Sequence, residues 1–440
     1  MIHPKHVHET LSRHQLADGF PIVLDLEASR GSWLRDAITG DDHLDLFTCF
    51  ASWPVGYNHP GLHDAGFVER LVRAARHNPA NSDLYTSEMA DFVATFAGRV
   101  SPDGFDHHFW VAGGALAVEN AMKTAFDWKA HKIGVENAND GRDLSILHFR
   151  QAFHGRSGYT LSVTNTVPDK VALFPKFDWP RVHNPAVEFD PEGCYANDPE
   201  AEEARACEEI EAAFAARGDS IAAILIEPIQ GEGGDNHFRP EFFCKLREYA
   251  DRNEALLMYD EVQTGFFGSG KPWMWEHHGV APDVVAFGKK SQVCGIYAGP
   301  RIDEVEENVF RRSSRINSTW GGNLVDMVRS QRIIEIILEE NLHGNVAERG
   351  REMIDGLRAI QREKGGVANV RGAGSLVAFT LETAGVRDSM LRHLASRNVL
   401  ALASGPRAIR FRMPLVITGD EVATCLERVS ESLPLAVAEA

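Results

Sequence analysis

The sequence predicts a large α/β domain with a mainly parallel, helix-flanked sheet, followed by a smaller C-terminal domain. Three observations predict it. Short, mostly apolar runs recur without alternation: Ser145-Ile146-Leu147-His148-Phe149, Ile221 to Ile226, Leu256-Leu257-Met258-Tyr259 and Val284-Val285-Ala286-Phe287. Such runs read as strands covered on both faces. Stretches of helical length separate them, and that alternation makes a sheet flanked by helices. Nearly every run also ends on a polar or glycine-rich cluster, and in such sheets ligands gather at the carboxyl ends of the strands.

The elements follow in order. Phe109-Trp110-Val111 leads to Gly113-Gly114-Ala115 and a predicted helix over about 116–129. The run from Ser145 leads to Phe153-His154-Gly155-Arg156. The segment 178–219 is richer in Pro, Glu and Ala and reads as a surface excursion with a helix over about 199–216. The run from Ile221 delivers Glu227-Pro228. The next two runs deliver Asp260-Glu261-Val262-Gln263 and Lys289-Lys290. A long amphipathic helix is expected from Gly321, with Met327, Val328, Ile334, Ile337 and Leu338 on its apolar side. It carries the chain into the smaller domain, where strands are expected near Leu376-Val377-Ala378-Phe379 and Ile409-Arg410-Phe411. No internal repeat or low-complexity tract is present.

Composition excludes several functions. A chain of 440 residues can bury a large core. The net charge of -18 argues against a nucleic-acid surface. No apolar run approaches the ~18 residues of a membrane span. Met1-Ile2-His3-Pro4-Lys5-His6 lacks the apolar centre of a signal peptide. Six scattered cysteines without a Cys-x-x-Cys pair fit reduced thiols, so a cytoplasmic protein is expected. The 19 histidines include the adjacent pairs His107-His108 and His277-His278, which do not share a helix face. No His-Glu-x-x-His motif occurs, and no metal site is expected.

The strand ends carry the chemistry. A lysine and an acid, each at the end of a strand, are what a pyridine cofactor needs. The lysine, here Lys289, would hold an aldehyde as a Schiff base, and the acid, here Asp260, would keep a ring nitrogen protonated so that the ring accepts electrons. Taken singly, Lys289 is a surface charge and Asp260 a turn former. Gly113-Gly114-Ala115 before a helix can hold a phosphate, by close backbone approach and free N–H groups. Gly265-Phe266-Phe267-Gly268-Ser269-Gly270-Lys271 fits seven positions of a nucleotide-binding P-loop. However, Pro272 stands where a hydroxyl residue must hold magnesium, and the acidic strand comes before the loop, not after it. Arg156 and Arg410 can each clamp a carboxylate by two parallel hydrogen bonds. Glu232, in Gln230-Gly231-Glu232-Gly233-Gly234, can reach into a cleft from a glycine-rich loop; its plain reading is an exposed acid.

Taken together, several strings resemble the class III aminotransferases that use pyridoxal 5'-phosphate. They are Glu227-Pro228-Ile229-Gln230-Gly231-Glu232-Gly233-Gly234, Asp260-Glu261-Val262-Gln263-Thr264-Gly265 and Ser318-Thr319-Trp320-Gly321-Gly322-Asn323. Segments from Leu44-Asp45 to Asn58-His59-Pro60, and from Arg410 to Pro414-Leu415, extend the resemblance over most of the chain. Phe174-Pro175-Lys176-Phe177-Asp178-Trp179-Pro180, His237-Phe238-Arg239-Pro240-Glu241-Phe242-Phe243 and Lys289-Lys290-Ser291-Gln292-Val293-Cys294-Gly295 are similar to the branch that acts on the ε-amine of lysine. Lys290 marks that branch, since most relatives have glycine there.

The resemblance implies fold type I of the pyridoxal-phosphate-dependent transferases, with a smaller α+β domain from both chain ends. Residues 1–55 and 329–440 would form the small domain, and 56–328 the large cofactor-binding one. It implies Lys289 as the Schiff-base lysine, Asp260 at the ring nitrogen and Gln263 at the phenolic oxygen. Val262 and Phe153 would sandwich the ring. Gly114 and Ala115 would bind the phosphate, with Thr319 from the other subunit of a homodimer with shared sites. Arg156 and Arg410 would hold substrate carboxylates, and Glu232 would gate Arg410. The implied reaction moves the ε-amine of L-lysine to 2-oxoglutarate; ornithine, acetylornithine or 4-aminobutyrate is the alternative donor. In that reaction Lys289 must be neutral part of the time, which burial and the Lys290 charge would favour. Two departures stand out. Many relatives have hydroxyl residues in place of Gly113 and Ala115, so the phosphate must lean on backbone amides. Met413 replaces a common proline and is expected to shape the pocket wall.

Overall fold

The computed structural model describes residues 1–135 and 143–439. Its centre is a seven-stranded sheet. In spatial order the strands are His107–Val111, Cys294–Ala298, Val284–Phe287, Leu256–Glu261, Ile221–Ile226, Ser145–Phe149 and Arg181–Val182. All run parallel except Cys294–Ala298, which is antiparallel to both neighbours. That reversal departs from the sequence expectation, which placed no strand there.

The unbroken apolar runs are explained by burial on both faces. Every residue of Ile221–Ile226, Leu256–Glu261 and Val284–Phe287 is buried. Leu256, Met258, Val284 and Ala286 point into one apolar cluster, with Ala117, Val118, Ala121, Met122, Ala125 and Trp128 of the helix Gly114–Ile133. Leu257, Tyr259, Val285 and Phe287 point the other way. There they meet Phe242, Phe243 and Leu246 of the helix Pro240–Arg252 and Phe92 and Phe96 of the helix Ser87–Arg99. Each large side chain so buried contributes on the order of 1.5–3 kcal/mol.

Register then aligns the strand ends. Ile226 lies opposite Tyr259, and Asp260 opposite Ala286. Glu227, Asp260 and the turn carrying Lys289 therefore emerge side by side. Because strand side chains alternate, Asp260 shares the face of Met258, the one covered by the helix Gly114–Ile133. Glu261 turns to the opposite side. It accepts hydrogen bonds from Thr264 Oγ1 (2.7 Å), Trp275 N (2.9 Å) and Met274 N (3.0 Å).

Some boundaries moved. The helix expected over about 116–129 begins at Gly114, two residues before its expected start. The amphipathic helix spans Leu324–Glu339 and does not start at Gly321, because Gly321 and Gly322 sit at φ 55° and 77°. The excursion over 178–219 is less peripheral than expected. Arg181–Val182 closes one sheet edge, and Ala206, Ile210 and Phe214 of the helix Pro199–Arg217 enter the core.

A second apolar cluster joins the two ends of the chain. Leu44 and Leu46 pack with Met353, Leu357, Val377, Phe379, Ile409 and Phe411. Its four-stranded antiparallel sheet runs Ala368–Ala373, Leu376–Thr380, Ala408–Arg412 and Leu402–Ser404. Met413, expected in the pocket wall, is buried in this cluster instead, and its N–H donates to the Ser375 carbonyl (3.0 Å). Proline could not make that bond. The Gly265 to Lys271 segment is no phosphate cradle. Phe266 and Phe267 are both buried in the large apolar cluster, and Lys271 Nζ donates to the Glu276 carbonyl (3.0 Å). Among the described residues, no helix is long and apolar enough to cross a membrane, and no cluster of His, Cys, Asp or Glu is arranged to hold a metal.

Candidate active site

A cavity of about 850 Å³ opens over the strand ends. Lys289, Asp260, Val262, Gln263, Gly114, Ala115, Phe153, Arg156 and Glu232 all line it. Two residues expected at the site do not. Arg410 lies behind Glu232, and Thr319 is exposed outside the cavity lining of its own chain.

Lys289 is half-buried on the floor, in a three-residue turn with φ 52°. An ordinary residue adopts that left-handed conformation only at some cost. Burial pushes its ammonium down to about 8, aided by Arg410 and Arg412 and opposed by Asp260 and Glu227. Arg410 and Arg412 are charges that favour the neutral amine. Lys290 turns the other way, is buried, and donates to the Gln263 carbonyl (2.5 Å). Burial pushes it to about 7, with Lys289 and Arg412 adding to the shift.

Asp260 has a partner that the sequence reading left without a role. His154 Nδ1 lies 2.8 Å from Asp260 Oδ2, and the Val262 N–H donates to Oδ1 (3.0 Å). Glu227 lies beside them, accepting from Phe153 N (2.9 Å) and Gly231 N (3.1 Å). Burial raises its carboxyl to about 7; His154 opposes the shift and Asp260 adds to it.

The helix Gly114–Ile133 points its first turn at the cavity and has no side-chain cap. Its first N–H groups are unbonded within the helix, as in an anion site. Gly114 is needed for packing: a Cβ there would lie 2.7 Å from Val262 Cγ1.

The opposite side of the site belongs to the second sheet. Arg410 and Arg412 are two apart on Ala408–Arg412, so they share a face while Ile409 and Phe411 enter the second core. That alternation was a legible signal for Arg412, which was not assigned a role. Arg412 donates to Gln263 Oε1 through Nε (3.0 Å) and Nη2 (2.6 Å), and pairs with Asp235 (2.5 Å). Gln263 thus lines the cavity with its oxygen held from behind. Arg410 Nη2 donates to Glu232 Oε2 (2.6 Å), while its Nε and Nη1 are buried without a partner among the described residues. The other Glu232 oxygen, Oε1, accepts from Lys170 Nζ. Burial alone would raise the Glu232 carboxyl; Arg410 and Lys170 overcome it and hold it at about 2. Arg156 is exposed at the cavity and makes no hydrogen bond or ion pair to any described residue.

Cys49, Phe50, Ser52 and Trp53 form the last wall. They follow or belong to four consecutive non-glycine residues at positive φ: Thr48 (42°), Cys49 (51°), Phe50 (59°) and Ala51 (66°). Left-handed backbone costs roughly 1–2 kcal/mol per residue. The turn is pinned by Asp45, which accepts from Thr48 N (2.8 Å) and Tyr57 Oη (2.7 Å), and by the Thr48 hydroxyl, which donates to the Arg412 carbonyl (2.9 Å). Nothing in the local sequence signals this conformation.

Comparison with known proteins agrees with this geometry. Residues 16–433 match the family described as Aminotransferase class-III. L-lysine-epsilon aminotransferase of Amycolatopsis lactamdurans is 49% identical over 430 residues, covering 97% of this chain and 95% of that protein. The mitochondrial 4-aminobutyrate aminotransferase of Rattus norvegicus is 33% identical, covering 92% of this chain and 84% of that protein. The solved structure of lysine aminotransferase from M. tuberculosis in the internal aldimine form superposes with a TM-score of 0.94 at 47% identity, covering 99% of this chain and 100% of that one.

Proposed function

Because the chain belongs to the class III aminotransferases, we propose that it moves the ε-amino group of L-lysine to 2-oxoglutarate. The products would be 2-aminoadipate 6-semialdehyde, which cyclises to piperideine-6-carboxylate, and L-glutamate. The observation that carries this reading is the Glu232 carboxylate lying on Arg410 at 2.6 Å, at the cavity edge. Lysine reacting through its ε-carbon brings no carboxylate to that end, so an uncovered Arg410 would be a buried, unpaired charge. 2-Oxoglutarate does bring one. Glu232 covers Arg410 for the amine and leaves it for the oxo acid. Arg156 is placed to take the distant carboxylate of either substrate. The cover favours ω-amines as a class. Among them, the relatives named for lysine, at 46–49% identity against 33% for one named for 4-aminobutyrate, support lysine.

Pyridoxal 5'-phosphate fits the cavity. The uncapped first turn at Gly114 and Ala115 suits its phosphate, Phe153 and Val262 suit the two faces of its ring, and Asp260 and Gln263 suit the ring nitrogen and phenolic oxygen. When bound, it supplies a carbonyl carbon for the amine and a ring that accepts the electron pair released at the substrate carbon. Lys289 Nζ moves the proton at that carbon. With its ammonium lowered to about 8 by burial and the two arginines, the free amine that this transfer needs is more accessible near neutral pH than for an ordinary lysine. His154 orients Asp260, and Arg412 orients Gln263. Thr319 would serve the second subunit of a homodimer. Its carbonyl accepts from Ser82 Oγ (3.4 Å), and nearby in the chain Leu84 and Tyr85 are 66% and 79% exposed, as an interface surface requires.

Two experiments test the reading. Borohydride treatment of the yellow protein should bleach it and leave the reduced adduct on Lys289; an adduct on Lys290 would overturn the assignment. A panel of L-lysine, ornithine, acetylornithine and 4-aminobutyrate should show the highest kcat/KM for lysine, and a different winner would replace the donor.

A further inference from the structure

Glu232 is held from two sides, by cations at different depths. Arg410 is 2% exposed and takes Oε2; the Lys170 side chain is 26% exposed and takes Oε1. Lys170 sits in the turn Pro168–Lys170, lines the cavity, and places its ammonium 5.5 Å from the centre of the Phe153 ring. The Glu232 backbone is fixed. Its carbonyl accepts from Gly405 N (3.1 Å), and the preceding Gly231 donates to Glu227 (3.1 Å) and accepts from Ser404 Oγ (2.8 Å). If the carboxylate leaves Arg410, it must do so by side-chain rotation alone. A carboxylate that remains partly buried then needs a partner within reach, and Lys170 is already bonded to it.

We propose that Lys170 is a positioning residue that keeps hold of Glu232 when Arg410 is given over to a substrate carboxylate. This rests on the reading of Glu232 as a cover for Arg410. The cover is then a carboxylate shared between two cations. One of them, Arg410, has Nε and Nη1 without a partner among the described residues; the other keeps the displaced oxygen pair neutralised. The consequence is one-sided. Lys170 supports the half-reaction in which the cover is displaced, that of the 2-oxo dicarboxylate, and contributes far less to the amine half.

Titration calorimetry of the holoenzyme with glutarate, a dicarboxylate without a keto group, reads the displaced state without turnover. Lys170→Met should weaken glutarate binding roughly 10- to 100-fold, because the displaced Glu232 carboxylate is then left with no partner, a penalty that the free enzyme, in which Arg410 still holds it, does not bear. Lys170→Arg should restore most of it. In a Glu232→Gln background, Lys170→Met should change binding by no more than about twofold, because no carboxylate remains to be held. An equal loss in both backgrounds would show that Lys170 grips the dicarboxylate itself, and no loss in either would remove its role; both overturn the proposal. Glu232→Ala separates the two readings. It should tighten glutarate by uncovering Arg410. If it does and Lys170→Met is silent, only the anchor falls; if it does not, the cover itself is wrong.

Discussion

The floor and the rim of the cavity are built differently. Glu227, Asp260 and Lys289 stand at the ends of wholly buried, register-locked strands. Arg156, Lys170, Glu232 and Arg410 come from a loop, a three-residue turn, a glycine-rich loop and a strand of the other sheet. Floor residues hardly move without disturbing the core. Rim residues meet through rotatable side chains spanning two apolar clusters. On the proposed reading, the bond-making chemistry sits where position is most rigid, and substrate choice sits where a carboxylate can change partners.

The largest test of that division is Lys289→Ala. It should slow both half-reactions by at least the ~10²–10⁴-fold of positioned proton transfer. Lys290 will not substitute, since its ammonium is committed to the Gln263 carbonyl. Single-turnover rates near wild type would place the chemistry elsewhere.

The rim should break unevenly. Glu232→Ala leaves Arg410 buried and unpaired with lysine bound, at a cost on the order of 3–5 kcal/mol, so the lysine half should slow by about a hundredfold or more while the 2-oxoglutarate half changes little. Arg410→Ala should show the reverse bias, and Arg156→Ala should slow both. Equal losses in the two halves for Glu232→Ala would make this acid a structural part of the rim.

Met413→Pro sharpens the boundary between core and rim. Losing the N–H bond to Ser375 and the buried side chain should lower stability by about 1–3 kcal/mol, read as a lower Tm, with the ratio of the half-reactions unchanged. An altered ratio would return Met413 to the pocket wall.

The smallest expected effect is a pH slope on the floor. Burial raises Glu227 from its ordinary 4.5 to about 7. The stability this group contributes is therefore full below about 4.5 and is lost as pH rises through about 7. Glu227→Gln does not titrate, so its Tm relative to wild type should rise between pH 5 and pH 8. A constant difference would mean that Glu227 ionises normally.

Much of the floor was legible because its signals are local. An apolar run without alternation marks a doubly covered strand, and the residue just past it must stand at the strand end. One overlooked signal was equally local. Only Lys290, Ser291, Gln292 and Val293 separate Lys289 from Cys294, too few for a parallel crossover, so the next strand had to return antiparallel. The rim was only partly legible. Arg410 and Arg412 share a face by strand alternation, but their partners do not follow from it.

Periodicity and strand ends came from the sequence by itself, since they depend on neighbours a few residues apart. Tertiary structure alone decided the pairings: His154 with Asp260, 106 residues apart; Glu232 with Arg410, 178 apart; Gln263 with Arg412, 149 apart. It also decided the left-handed turn at Thr48–Ala51, whose cost is borne by Asp45 and the Arg412 carbonyl. The physical reason is the same throughout. A buried charge is settled by whichever group the folded chain brings within hydrogen-bond reach, and that distance is set by how two sheets pack, which no local pattern encodes.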